Sequence, residues 1–184
     1  CVGSGIENHS KYAEQIYSHD GLNTLWINLF IPSTLQWKEK GLIIRQDTRF
    51  PDDNNILLTF QQSKASRINI RIRKPSWNTG IPVVSVNGKM YMPETDSSGY
   101  FTIAGLYRKG DSIRVAFDMQ LYTESMPDNS GRIAFKYGPV VLAGLLGKDM
   151  PDPVYGTPVL MTSDRTPSKW IQKVNTSRPE FEMK

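Results

Sequence analysis

The sequence predicts an all-β fold, an antiparallel β-sandwich of about ten short strands, preceded by one short α-helix. Three observations predict it. Short runs with alternating apolar residues recur at a spacing of roughly 8–12 residues. Turn signals built from Gly, Pro, Asn and Asp separate these runs. No helical period falls between them, as parallel βαβ units would require.

The first element reads as a helix over residues 4–19. Ile6, Ala13 and Ile16 fall near one face, with Tyr12 and Tyr17 beside it. Ser4 and Glu7 have the spacing of a capping box, and His19-Asp20-Gly21 supplies a stop, with Gly21 free to turn left-handed. A 16-residue helix without tertiary packing is marginal, so this segment is the one expected to fray.

Strands follow. From Leu25 to Phe30 both parities are apolar, which predicts burial on both faces. Gly41 to Phe50 and Ile56 to Gln62 form the next pair, joined by Pro51-Asp52-Asp53-Asn54-Asn55. Arg67 to Arg73 is the cleanest alternation: Ile68, Ile70 and Ile72 point one way, Arg67, Asn69, Arg71 and Arg73 the other. Val83 to Val86 and Lys89 to Met92 flank Asn87-Gly88, a pair suited to a type I′ hairpin turn because both positions need positive φ. Tyr100 to Ile103 and Ser112 to Met119 are divided by Lys109-Gly110-Asp111. After the turn Asp128-Asn129-Ser130-Gly131 come Arg132 to Tyr137 and Val140 to Leu145, broken at Gly138-Pro139. Beyond Met150 five prolines suggest an extended arm, with one more strand near Val159 to Met161. The expected organisation is therefore a helical tail over 1–20, a sandwich over 21–146, and a Pro-rich arm or the start of a further region over 147–184.

Composition narrows the function classes. The chain has 184 residues, 39% of them hydrophobic and 22% charged, a globular composition too mixed for disorder and too polar for a membrane protein. The longest apolar run, Pro139 to Leu146, is far short of the roughly 20 residues of a spanning helix. The 22 Lys and Arg against 18 Asp and Glu leave +4, weaker than the concentrated charge of a nucleic-acid binder. Neither nucleic acid nor membrane is an expected partner. One cysteine, Cys1, excludes an internal disulfide. The chain begins at Cys1 without a leader and ends on a polar stretch, so it reads as a piece of a longer protein.

Several residues could carry chemistry, and each has a plainer role. Cys1 could be a nucleophile or zinc ligand as a thiolate, but no second Cys or paired His supports a metal site by spacing. Gly3-x-Gly5 lacks the third glycine and the preceding strand of a dinucleotide loop. Glu7 and His9 could form an acid/base pair or line a pocket, whereas capping accounts for Glu7 without catalysis. Trp26, Trp37, Trp77 and Trp170 could form a sugar-stacking platform or serve the core. Trp77, after Pro75-Ser76 at a strand end, is expected to be more exposed than Trp26. The Arg67, Arg71 and Arg73 stripe suits an acidic partner, a solvated sheet face, or an interface to another domain.

Larger motifs carry a resemblance. Cys1-Val-Gly-Ser-Gly-Ile-Glu-Asn-His-Ser-Lys-Tyr12, Ile16-Tyr17 and Leu25-Trp-Ile-Asn-Leu-Phe-Ile-Pro32 are followed in order by Trp37-Lys-Glu-Lys-Gly41 and Ile70-Arg-Ile-Arg-Lys-Pro-Ser-Trp77. Val86-Asn-Gly88, Gly110-Asp111 and Tyr137-Gly-Pro-Val-Val-Leu142 complete the set. Over about residues 1–146 this order resembles the C-terminal part of glycoside hydrolase family 127, whose members include β-L-arabinofuranosidases.

The resemblance implies an (α/α)6 catalytic barrel upstream, with residues 1–19 as its tail and a β-sandwich after it. It also implies a retaining mechanism with a cysteine thiolate nucleophile, a glutamate acid/base and zinc beside them. Most retaining glycosidases use two carboxylates instead. The family motif carries two adjacent cysteines, nucleophile first and zinc ligand second. Aligned without gaps from Ile16-Tyr17, Cys1 falls on the second, a zinc ligand; the other reading makes Cys1 the nucleophile. Val2-Gly3-Ser4 stands where Pro-Pro-Asn is usual, which leaves the glycone open. The matching acid/base glutamate lies upstream and is not Glu7. Glu7, His9 and Trp77 remain as candidate substrate-binding residues.

The resemblance implies zinc in the intact parent and no cofactor in this segment alone. Its expected partners are the upstream barrel and a plant-type carbohydrate. A periplasmic or secreted parent would suit polysaccharide degradation. The alternative is a non-catalytic carbohydrate-binding or structural interaction module.

Overall fold

Alternating apolar residues force each strand to bury one face, and two sheets that bury their faces against each other are the stable outcome. The computed structural model describes residues 2–145, 161–162, 164, 166–174 and 178–184. These divide into one body over Cys1–Asp118 and another over Met119–Lys184.

The first body opens with helix α1, Val2–Gln15. The strands β1 (Tyr17–His19), β2 (Thr24–Ile27), β3 (Ser33–Trp37), β4 (Leu42–Thr48), β5 (Asn55–Gln62) and β6 (Lys64–Arg73) follow. Next come β7 (Val83–Val86), β8 (Lys89–Tyr91), β9 (Glu94–Thr95), β10 (Tyr100–Arg108) and β11 (Ser112–Ala116). They form a five-stranded sheet, β1-β2-β6-β10-β9, and a six-stranded sheet, β3-β4-β5-β11-β7-β8. The pairs are antiparallel except β2 with β6, which run parallel because the chain visits β3 to β5 in the other sheet between them.

One core joins the two sheets. The five-stranded sheet contributes Leu25, Ile27, Ile68, Ile70, Ile72, Phe101 and Ile103, all fully buried. Leu42, Ile44, Ile56, Leu58, Phe60, Ile113 and Val115 face them from the six-stranded sheet. The isoleucine alternation of β6 is borne out. So is the hairpin turn, where Asn87 has φ 52° and Gly88 φ 78°. Asn87 also ties this turn to the next one: its Nδ2 donates to Asp111 Oδ1 at 2.9 Å, and Ser112 N–H donates to its Oδ1 at 2.8 Å.

Three local expectations are corrected. The helix ends at Gln15, and Tyr17–His19 is an edge strand. Its cause is tertiary: the Ile16 carbonyl accepts the Asn28 N–H at 2.9 Å, and Ile16 is buried, so the backbone there is drawn into the sheet. Ser4 lies inside the helix rather than at its cap, and Ile6 and Tyr12 are exposed. Strand β2 buries one face: Leu25 and Ile27 are fully buried, while Trp26 is only half-buried.

The second body contains a three-stranded sheet of β12 (Leu121–Ser125), β13 (Ile133–Tyr137) and β14 (Val140–Val141). The turn at Asp128–Gly131 joins the first two, with Gly131 N–H donating to Asn129 Oδ1 at 2.9 Å. The sandwich expected to run to residue 146 thus has its two facing sheets within 17–116, and these later strands make a sheet of their own. Within 147–184, expected as an extended arm or the start of a further region, the described residues carry regular structure. A 3-10 turn at Pro167–Lys169 leads into a hairpin of β15 (Ile171–Lys173) and β16 (Phe181–Met183). Trp170 meets Phe135 edge-on at 5.4 Å, and Phe181 meets Tyr137 at 5.1 Å, which packs this hairpin on the sheet. The strand expected near Val159 lies largely outside the described residues, and Met161 is exposed and in no strand. Among the described residues no helix is long and apolar enough to cross a membrane.

Candidate functional site

With one face of each strand committed to the core, the other face of the five-stranded sheet presents the side chains left over. Register fixes which ones meet. Ser18 pairs with Trp26, Trp26 with Arg71, and Arg71 with Thr102, one row across β1, β2, β6 and β10. Asn28 and the Arg73–Tyr100 pair form the neighbouring row.

Arg71 is the centre of this face. Its guanidinium carbon lies 5.7 Å from the Trp26 ring centroid and 5.6 Å from that of Tyr100, within cation–π range of both. Its Nη2 donates to Asp96 Oδ2 and, at 2.6 Å, to Ser98 Oγ. Asp96 in turn accepts the Ser98 hydroxyl and, at 2.9 Å, the Ser98 N–H. Those two Ser98 bonds, with the Arg71 charge adding to them, hold the Asp96 carboxyl below the usual carboxylate range. Arg71 Nε is buried and has no hydrogen-bond partner. The Tyr100 hydroxyl donates to Asn28 Oδ1 at 2.8 Å, and Asn28 Nδ2 donates to Ser18 Oγ at 3.2 Å. Two aromatic rings, a fixed guanidinium and a chain of amide and hydroxyl groups therefore share one sheet face. Arg67 and Arg73 of the same stripe are exposed.

The residues expected from sequence fall elsewhere. Cys1 lies outside the described residues. Glu7 and His9 sit exposed on α1; the Glu7 carbonyl accepts the Ser10 hydroxyl at 2.7 Å, and His9 meets Tyr12 edge-on at 5.8 Å. Trp77 does not stand out as an exposed platform. It is half-buried, stacked on Phe50 at 6.1 Å and edge-on to Phe117 at 5.7 Å, because the chain after β6 folds back over the end of the core. Trp37 is a core residue, 2% exposed. Among the described residues no three His, Cys, Asp or Glu side chains converge as a metal would require.

Sequence reasoning named Trp26 and the arginine stripe separately and missed Tyr100 and Asn28. The signal that joins them is cross-strand register, since Tyr100 lies 72 residues from Asn28 in the chain.

Comparison with known proteins places this arrangement. The model of the "Beta-L-arabinofuranosidase, GH127 middle domain" family matches residues 24–119. A non-reducing end β-L-arabinofuranosidase of Bifidobacterium longum subsp. longum is 24% identical, over 66% of this chain and 19% of its own length. A crystal structure of a GH127 β-L-arabinofuranosidase from Geobacillus stearothermophilus T6 superposes with a TM-score of 0.61 at 24% identity, covering 70% of this chain and 21% of that one. A second solved GH127 β-arabinofuranosidase gives a TM-score of 0.58 at 26% identity, over 68% of this chain and 23% of its own. The chain thus spans about a fifth of the length of these relatives.

Proposed function

Because this chain belongs to glycoside hydrolase family 127 through the family's middle domain, we propose that it is the β-sandwich of a retaining glycosidase acting on β-L-arabinofuranosides or similar sugars. In this reading it supports a catalytic helical barrel and does not turn over substrate alone. The observation that carries the reading is the family match over 24–119, in a chain whose matched part spans about a fifth of its relatives' length. Helix α1 supports it further. It enters β1 through the single residue Ile16 and holds Ile6 and Tyr12 in solvent, as a helix would whose packing partner belongs to an upstream domain.

Zinc belongs to this reading as a property of the intact enzyme. The described residues do not fit a zinc centre by themselves, since no ligand cluster exists among them, and no chemical step is assigned through it here. The contribution proposed for this chain is Cys1, as a ligand or, in the second reading, as the nucleophile.

The experiment is a truncation. A protein extended upstream to include the barrel is compared with the same protein lacking residues 21–184. Loss of soluble, folded enzyme on truncation is expected. A truncated barrel with undiminished activity and melting temperature would contradict the supporting role.

A further inference from the structure

We propose that the outer face of the five-stranded sheet, at Trp26, Arg71 and Tyr100, is a binding subsite for a neutral oligosaccharide chain. The choice of an arabinose polymer as its ligand rests on the functional reading above; the existence of the site does not.

Four features point to a sugar. Trp26 and Tyr100 are both half-buried on this face, and aromatic faces take the C–H faces of sugar rings. Arg71 stands over both rings and cannot swing away, because Asp96 and Ser98 hold its Nη2. Its charge is already paired with Asp96, so the centre of the platform favours a neutral ligand over an anion. Ser18, Asn28 and Thr102 border the rings, and Ser18, Asn28 and Tyr100 already form a chain of hydrogen bonds that a sugar hydroxyl can join.

Trp, Tyr and Arg also serve protein interfaces, so the test includes docking to another domain as an outcome that overturns the proposal.

The test is affinity electrophoresis of this chain in native gels holding debranched arabinan, branched arabinan, xylan or a mixed-linkage β-glucan. The variants are Trp26→Ala, Tyr100→Ala and the milder Tyr100→Phe, each checked by its melting curve. Met90→Ser, on the other sheet, is the control. Retardation by arabinan is expected, weakened roughly fivefold or more by Trp26→Ala and Tyr100→Ala, the scale of one lost aromatic contact. Met90→Ser leaves it unchanged. Retardation by xylan or β-glucan alone, with the same dependence on Trp26, supports the site while removing arabinose as its sugar. Absence of retardation in all four gels overturns the proposal, as does retardation indifferent to Trp26 and Tyr100. So does a Trp26→Ala effect confined to association with an upstream domain, which would make this face a docking surface.

Discussion

Tyr107 and Phe60 lie face to face across the sandwich, ring centroids 4.3 Å apart and planes within 10° of parallel. Tyr107 comes from β10 of one sheet and Phe60 from β5 of the other, so the stack fastens the two layers. The Tyr107 hydroxyl is satisfied inside, donating to the Ile103 carbonyl at 2.9 Å. Tyr107→Ala should cost about 3–5 kcal/mol, as large aromatic deletions in cores do. Tyr107→Phe should cost only about 1 kcal/mol, the net value of one hydrogen bond. Urea denaturation of both variants checks the pair.

The same residue sets an alkaline limit. Burial pushes the Tyr107 hydroxyl's ionisation well above its ordinary 10.0. The unfolded chain therefore loses this proton before the folded chain does. Tyr107 adds stability that is whole below pH 10 and is lost as pH rises beyond it. Burial raises Tyr17 in the same direction, against the opposing Ser33 hydrogen bond. Melting temperature should fall as pH rises past the ordinary tyrosine value of about 10, and Tyr107→Phe should flatten the fall without abolishing it. An equal slope in wild type and variant would count against this cause.

Buried polar side chains pin the loops. Asn78, 1% exposed, accepts the Asp118 N–H at 3.0 Å and donates to the Gly80 carbonyl at 2.7 Å. Gln46, equally buried, donates to the Leu29 and Ile31 carbonyls at 3.1 and 2.8 Å. Asn78→Ala and Gln46→Ala should each cost about 1–3 kcal/mol, since each removes two hydrogen bonds made by a buried side chain. Asn78→Asp should be no better, because a carboxylate cannot donate to Gly80. Chemical denaturation at neutral pH distinguishes these outcomes from unaltered stability.

Much of this was legible in the sequence, and the exceptions have physical reasons. The strands with strict alternation, β5, β6 and β11, were read closely because burial of one face requires apolar residues at every second position. Strands β3 and β9 lie at sheet edges, where little burial leaves little pattern; β3 has the mixed run Ser-Thr-Leu-Gln-Trp. The helix was read too long because Ile16 and Tyr17 continue its apolar face, while their burial actually comes from the sheet. For Trp77 the Pro-Ser lead-in places it at a strand end, and only the path of that loop shows that it packs on Phe50 and Phe117. The Trp26–Arg71–Tyr100 face needs register across three strands, which no local pattern encodes.

Helix α1 offers a structural test of independence. Its described side chains are exposed throughout, so the sandwich core does not draw on it. Deleting residues 1–15 should leave the melting temperature within about 2 °C of the full chain, as surface changes worth under about 0.5 kcal/mol do. A drop of 8 °C or more would show that the helix packs on the sandwich in solution.

The central claim, a family 127 sandwich that does no chemistry alone, meets its most direct test in hydrolysis of an aryl β-L-arabinofuranoside. Residues 1–184 are compared with a protein extended through the upstream barrel, each with and without a zinc chelator. The account predicts turnover by the extended protein only, lost on chelation. Chelator-sensitive turnover by residues 1–184 alone would contradict it.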